Sequence, residues 1–267
     1  MPNPRVIGLL TTVDPTMLSR VAEFVHDFFE KTDYRRDRMR ILIGSGYPAA
    51  KRLARAREVH VDVWKAIPPH AVGANLLRAR ALSIRSGEGA GPLLIKLDDD
   101  LRVRDPGWLQ ELVDAHQRYP TAILGPKLLY PNGSVQHGGG YLLRHAGGVA
   151  GGQYGQTIEL GMPILNVERP VEFVTGACLL VPKATAELLG PFDTVMPAWE
   201  DSEYCFRARS RGIPTIYVPT SVLTHDEGAT RSQRTPSEQQ AYMARQGEAS
   251  RMFLERYRHL VYPAAPG

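Results

Sequence analysis

The first hundred residues alternate apolar runs with helical patterns, and that alternation leaves few folds open. "RVIGLLTTVD", "MRILIGSG", "VHVDVW" and "LLIKL" read as strands, the third by strict alternation and the others as buried runs. Between them the spacing predicts a helix over 15–31, with Leu18, Val21, Phe24, Val25 and Phe28 on one face. A basic helix over "AKRLARAREV" and a helix over 75–85 follow, and the breaker "SGEGAGP" leads into "LLIKL". Apolar strands separated by helices predict a mainly parallel sheet covered on both faces.

The last of these strands stops on Asp98, Asp99 and Asp100. Three adjacent carboxylates repel one another, and burying one unpaired is costly. In an extended strand Asp98 and Asp100 face one side and Asp99 the other. Ligands of open α/β sheets bind beyond the carboxyl ends of the strands. Carboxylates there suit a hard divalent cation, Mn²⁺ or Mg²⁺, shared with substrate phosphates. A solvated turn or helix cap is the competing reading.

Beyond the aspartates the pattern changes. "PGWLQELVDAHQRY" reads as a helix, and "TAILGPKLLY" and "SVQHGGGYLL" as a strand pair turning at "PNG". Residues 144–170 are Gly-rich and predict an irregular surface loop. "VEFVTGACLLVP" reads as an apolar strand, "KATAELLG" as a short helix, "EDSEYCFRARSRG" as a helix and "TIYVPTSVLTH" as the last strand. An amphipathic helix is expected over 237–257.

Several residues here invite chemistry. Gly176 interrupts an apolar run, which marks a close approach of backbone or ligand. Glu200 and Asp201 stand at a helix start, where the dipole favours an ionised carboxylate, as a general base requires. Plain helix-start acidity explains them equally. Glu203 and Arg207 have the spacing of a solvated ion pair. Trp199 fits a core residue or a platform for a sugar ring. His225 fits a surface histidine or a third ligand for Mn²⁺.

Composition narrows the classes. A net charge of +4 raises a polyanion partner, but 26 Arg against 6 Lys in an Ala-, Gly- and Pro-rich chain is what a GC-rich genome produces. No basic recognition helix or basic-aromatic sheet is visible, so no nucleic-acid partner is expected. No run of about 18 apolar residues is present, and no secretory signal is read at the N-terminus. Cys178 and Cys205 form no metal-type pair, and a cytoplasmic setting is expected.

Four stretches together carry a likeness: "LLIKLDDDLRV", "GPKLLYPNGSVQHGGG", "FVTGACLLVPK…LGPFD" and "WEDSEYCFRARSRGIPTIYVP…TH". From residue 91 to 225, and more loosely from residue 5, the chain resembles the inverting family 2 glycosyltransferases, nearest the rhamnosyl- and galactofuranosyl-transferase branch. The resemblance implies an α/β GT-A fold, a Rossmann-like central sheet flanked by helices. Residues 1–230 would form one domain, 1–100 binding the nucleotide-sugar and 101–230 the acceptor, with a helical extension over 231–267.

The resemblance also implies roles. Asp98 and Asp100 match the metal motif, which His225 joins in some members, with Asp98 or Asp99 near the ribose or diphosphate. Asp201 matches the base that deprotonates the acceptor hydroxyl. Trp199, Glu200 and Gly176 fall on the acceptor side. Thr11, Thr12, Asp14 and Asn75 fall where members contact the nucleotide-sugar. Where many members carry a base-holding aspartate this chain reads "ILIGSG", leaving UDP and dTDP donors both open. Residues 226–234 would close over the donor, with Gly228 as a hinge. The acceptor would be a glycan, a lipid-linked glycan or a small natural product. The last helix would pack on the domain or a second copy of the chain, or touch the inner membrane face peripherally.

Three other classes compete. A nucleotidyltransferase wants a Gly-rich basic loop after the first strand, and "LLTTVDPT" offers neither glycine nor a basic residue. A phosphohydrolase usually carries its aspartate pair on the first strand. A catalytically silent sugar- or nucleotide-binding relative would have no need of Asp100, Asp201 and His225 together.

Overall fold

The computed structural model describes residues 4–12, 14–54, 56–84, 91–145, 148–155, 161–226 and 235–261. In chain order the elements are β1 (Val6–Thr12), α1 (Leu18–Glu30), β2 (Met39–Ser45), β3 (Val59–Val63), α2 (His70–Ser83), β4 (Leu93–Leu97) and β5 (Leu101–Val103). There follow α3 (Trp108–Arg118), β6 (Ile123–Leu129), β7 (Val135–His145), β8 (Gly148–Gly155), β9 (Arg169–Pro170) and β10 (Cys178–Pro182). The chain continues through α4 (Lys183–Leu189), α5 (Glu200–Arg209), β11 (Thr215–His225) and α6 (Pro236–Val261).

One sheet runs β3-β2-β1-β4-β10-β6-β11-β5, with β7, β8 and β9 as branches. The pairings β1/β2, β2/β3, β1/β4 and β6/β11 are parallel. Strand β10 is antiparallel to both its neighbours, and β5 is antiparallel to β11. Six of the eight strands on the main path therefore point the same way, so the ends of β1 to β4 open onto one edge.

Alternation along the strands feeds two cores. Val6, Leu10, Ile41, Ile43, Ile95 and Leu97 pack with α1 and α3, where Phe24, Phe28, Trp108 and Leu112 are buried. Ile7, Leu9, Leu42, Leu94 and Leu179 face α2, α5 and α6. In α6 the expected apolar stripe of Met243, Met252, Phe253, Leu254 and Tyr257 is met in part: Phe253 and Tyr257 are buried in this second core with Ala249 and Val261, Met252 and Leu254 are partly buried against it, and Met243 is 59% exposed.

Five expectations need correction. "AKRLARAREV" forms only a 3-10 turn over Pro48–Leu53. The long apolar run before Pro182 is strand only from Cys178. The described residues of 144–170 form regular elements instead of an irregular loop: β8 pairs antiparallel with β7, and a 3-10 turn (Pro163–Leu165) and β9 follow. The glycines that make this stretch look irregular are packing choices. A Cβ on Gly152 would lie 2.6 Å from the Tyr141 ring, and one on Gly155 would lie 2.5 Å from Val135 Cγ1. Glu203 is not solvated. It is 1% exposed and binds Arg207 at 2.5 Å, the Tyr257 hydroxyl at 2.6 Å and Arg256 at 3.2 Å, tying α5 to α6. His225, read by default as a surface residue, is 7% exposed.

Candidate active site

Strand β4 ends at Leu97, and the three aspartates turn into β5 instead of continuing the strand. Each carboxylate then finds its own partner, which relieves the crowding. The Asp98 carboxylate accepts from Lys96 Nζ at 2.9 Å and lies 3.6 Å from His70 Nε2. Asp99 accepts from the Thr12 hydroxyl. Asp100 Oδ1 lies 2.8 Å from His225 Nε2.

Asp98 and Asp99 are pushed in opposite directions. Burial opposes ionisation of Asp98, but Lys96, His70 and His225 outweigh it and hold the carboxyl down to about 2. Burial, aided by its two aspartate neighbours, pushes Asp99 up to about 6.

The short strand β5, which sequence patterning does not reveal, explains why a residue 125 positions away reaches this turn. It pairs with the end of β11 so that Leu101 stands opposite His225. The other ring nitrogen, Nδ1, lies 2.7 Å from Gln136 Oε1 at the start of β7, and donates there. That bond fixes the ring and leaves Nε2 facing Asp100.

The second constellation sits on α5. Trp199 precedes it with φ 66°, the one non-glycine residue in the left-handed region among the described residues. Its indole N–H donates to Gln246 of α6 at 2.6 Å. The left-handed Trp199 sets Glu200 and Asp201 in the first turn of the helix. Asp201 Oδ2 accepts from Gly176 N–H at 2.7 Å and Oδ1 from Ser202 N–H at 2.6 Å. A Cβ on Gly176 would lie 2.9 Å from Lys96 Nζ and 3.2 Å from Asp201 Cβ, so the close approach expected there is that of these two side chains.

Glu200 and Asp201 are pushed in opposite directions. Burial opposes ionisation of Glu200, yet His70 and Lys96 hold it down to about 2. Asp201 is raised, first by burial and then by Glu200. A carboxylate raised in this way is a stronger base, and it keeps lone pairs free beyond its two N–H contacts.

These groups line one cleft of about 1030 Å³. Thr11, Asp98, Asp99, Asp100, Gly176, Trp199, Glu200, Asp201 and His225 all line it. Thr12 stands behind Asp99. Asp14 caps the 3-10 turn Pro15–Met17 through Thr16, and Asn75 spends both ends of its amide on the Phe192 backbone; neither lines the cleft. Residues 227–234 of the expected closing loop lie outside the described residues, while Asp226 pairs with Arg20 at 2.6 Å.

Sequence reasoning missed four contributors. Lys96 is 4% exposed and donates to Asp98 and, at 2.6 Å, to the Gly176 carbonyl. A lysine inside an apolar strand next to an acidic triplet was the available signal. His70 sits between Asp98 and Glu200 at 3.6 and 3.5 Å. Gln136 orients His225. The wall opposite the aspartates comes from β8 and α6, including Gln153, Tyr242 and Arg245.

The residues fit a divalent cation. Asp98, Asp100 and His225 each offer one donor atom, all within 4.8 Å of one another. Two hard carboxylate oxygens and an imidazole nitrogen suit Mn²⁺ or Mg²⁺, and the Gln136 contact turns His225 Nε2 toward the carboxylates that would share one.

No family model matches the chain. It is 34% identical over 149 residues, 54% of its length, to the O-antigen biosynthesis protein RfbC of Myxococcus xanthus, and it spans 12% of that relative. Its structure matches GalNAc-T7 solved with UDP, GalNAc and Mn²⁺, with a TM-score of 0.62 and 15% identity, covering 99% of this chain and 59% of that one. It also matches the mannosyltransferase PcManGT from Pyrobaculum calidifontis, solved with GDP-Man and Mn²⁺, with a TM-score of 0.61 and 16% identity over 97% of this chain and 70% of that one. The chain has the GT-A fold of these glycosyltransferase structures. Among the described residues no helix is long and apolar enough to cross a membrane.

Proposed function

We propose that the chain is a metal-dependent, inverting glycosyltransferase of the rhamnosyl- and galactofuranosyl-transferase type. It moves a sugar from a UDP or dTDP donor to a hydroxyl of a glycan, a lipid-linked glycan or a small natural product. The observation that carries this reading is one cleft holding a three-donor Asp–Asp–His cluster at the end of β4 and a raised carboxylate, Asp201, on α5.

Asp98, Asp100 and His225 would hold the cation, Mn²⁺ or Mg²⁺, with Gln136 orienting the imidazole. When bound, the cation offsets the charge that gathers on the departing nucleoside diphosphate. Thr11 and Asp99, with Thr12 behind, lie on the donor side. Trp199, Glu200 and the α6 residues face the acceptor. Asp201 takes the proton of the acceptor hydroxyl as its oxygen attacks the anomeric carbon, and a single displacement inverts the configuration there. Gly176 N–H keeps Asp201 aimed at that position.

The test is sugar transfer and nucleotide release from a panel of UDP-, dTDP- and GDP-sugars with Mn²⁺. Asp201→Asn should lower turnover by roughly a thousandfold, as loss of a general base does, while donor affinity stays within about threefold. Wild-type turnover in that variant removes Asp201 from the mechanism.

A further inference from the structure

A second cavity, of about 750 Å³, opens elsewhere on the molecule. It is walled by β7, β8 and β9, the end of α5 with the segment that follows it, and the start of β11. Two tyrosines from paired strands, Tyr141 and Tyr154, line it with ring centroids 4.6 Å apart. Arg144, Arg169, Arg209 and Glu172 complete its polar lining.

The charges do not balance. Glu172 is already committed: it pairs with Arg144, lies 3.5 Å from Arg209, and accepts from the Leu142 N–H at 2.6 Å. Arg169 has no carboxylate partner among the described residues. Its Nη2 donates to the Gly138 carbonyl at 2.8 Å, while its Nη1 is buried with no hydrogen-bond partner. The rings of Tyr154 and Tyr217 lie 4.7 and 5.1 Å from the guanidinium and recover part of its lost hydration. Two ring faces do not neutralise a half-buried cation, and burial works against its charge. The lining as a whole therefore carries an excess of two positive charges beside a tilted pair of tyrosine rings.

From this juxtaposition we infer that the cavity is a binding site for an acidic saccharide unit, distinct from the catalytic cleft. The tyrosine rings offer apolar faces for the C–H face of a pyranose. Arg209, exposed at the edge of the cavity, offers a planar donor for its carboxylate or phosphate, and Arg169 adds its uncompensated charge beside the rings. Strand β8 contributes Tyr154 here and Gln153 to the catalytic cleft, so one hairpin separates the two sites. This inference does not depend on the transferase reading.

The experiment is calorimetric titration of the full chain with trigalacturonate, with a neutral trisaccharide of equal length and with glucose 1-phosphate. The uronate should bind at least tenfold more tightly than the neutral sugar. Arg169→Met, Tyr154→Ala and Arg209→Ala should each weaken that binding at least tenfold, while Asp100→Ala leaves it unchanged. Tyr154→Ala and Arg209→Ala alter partly exposed side chains and decide the matter even where Arg169→Met fails to fold. Stronger binding of glucose 1-phosphate than of trigalacturonate, with the same response to the variants, assigns the charge to a phosphate. Indifference to Tyr154→Ala and Arg209→Ala, binding that disappears with Asp100→Ala, or no binding of either acid overturns the site. Metal-dependent nucleotide binding, measured separately, reports on the catalytic cleft alone.

Discussion

Lys96 and Asp201 hold the two polar backbone groups of Gly176: Lys96 Nζ donates to the Gly176 carbonyl at 2.6 Å, and the Gly176 N–H donates to Asp201 Oδ2 at 2.7 Å. Because Lys96 also holds Asp98, one buried cation links the candidate metal cluster to Asp201, the proposed base.

Lys96→Met should therefore act twice. Leaving Asp98 and the Gly176 carbonyl without their partner should cost about 3 kcal/mol of folding stability, read by chemical denaturation. It also withdraws a positive charge that favours ionised Asp201, so the acid limb of the pH–rate profile should move to higher pH. A limb that stays in place would show that Lys96 is only structural.

Activity itself should fall as pH drops. As the proposed base Asp201 works only when ionised, and because it is raised it loses that form on the acid side at a pH above the ordinary aspartate range. Rate measurements on the wild type across the acid range check this; a limb in the ordinary aspartate range contradicts the raised base.

His137 supplies a stability test of opposite character. It is 0% exposed, receives the Thr175 N–H at Nε2 and donates from Nδ1 to Gln153, so it is neutral in the fold. Burial lowers it from 6.5 to about 4. The unfolded chain then binds more protons between those values, and stability is lost as pH falls through that window, by up to about 3 kcal/mol. Asp99, raised to about 6, has the reverse sign: its contribution is full at low pH and is lost as pH rises through 6. The readout is thus the difference between wild type and His137→Gln, which should shrink as pH falls from 6.5 to 4. A constant difference would refute the assignment.

Glu203→Ala should loosen α6. The substitution removes the buried acceptor of Arg207 and the Tyr257 hydroxyl, while Arg256 keeps Asp193, and should cost about 3 kcal/mol, at the low end for breaking a buried pair. Hydrogen exchange over residues 245–261 should rise. Unchanged exchange there would mean that the apolar stripe alone docks the helix.

Much of this architecture is legible in the sequence because local pattern and environment agree. The strands of the first half are apolar runs with sharp ends, and α1 carries its buried face at helical spacing. The site residues Asp98, Asp100, Asp201 and His225 each sit at the end of a strand or the start of a helix, where composition marks them. What stayed hidden depends on distant pairing. Strand β5 has three residues and exists because β11 lies beside it. Strand β8 is built from glycines whose missing side chains make room for Tyr141 and Val135, and no local propensity records that. Glu203 has the spacing of a surface pair, and only the return of α6 buries it. His70 and Gln136 carry no motif at all; they matter because the fold sets them against Asp98 and His225.

The most direct test of the central claim is calorimetric titration of UDP and dTDP, each with and without Mn²⁺, into the wild type and Asp100→Ala. The account predicts that one of these nucleotides binds the wild type tightly only when Mn²⁺ is present, and that Asp100→Ala abolishes the metal-dependent part. Nucleotide binding indifferent to Mn²⁺, or no binding of UDP, dTDP or GDP under any condition, would contradict it.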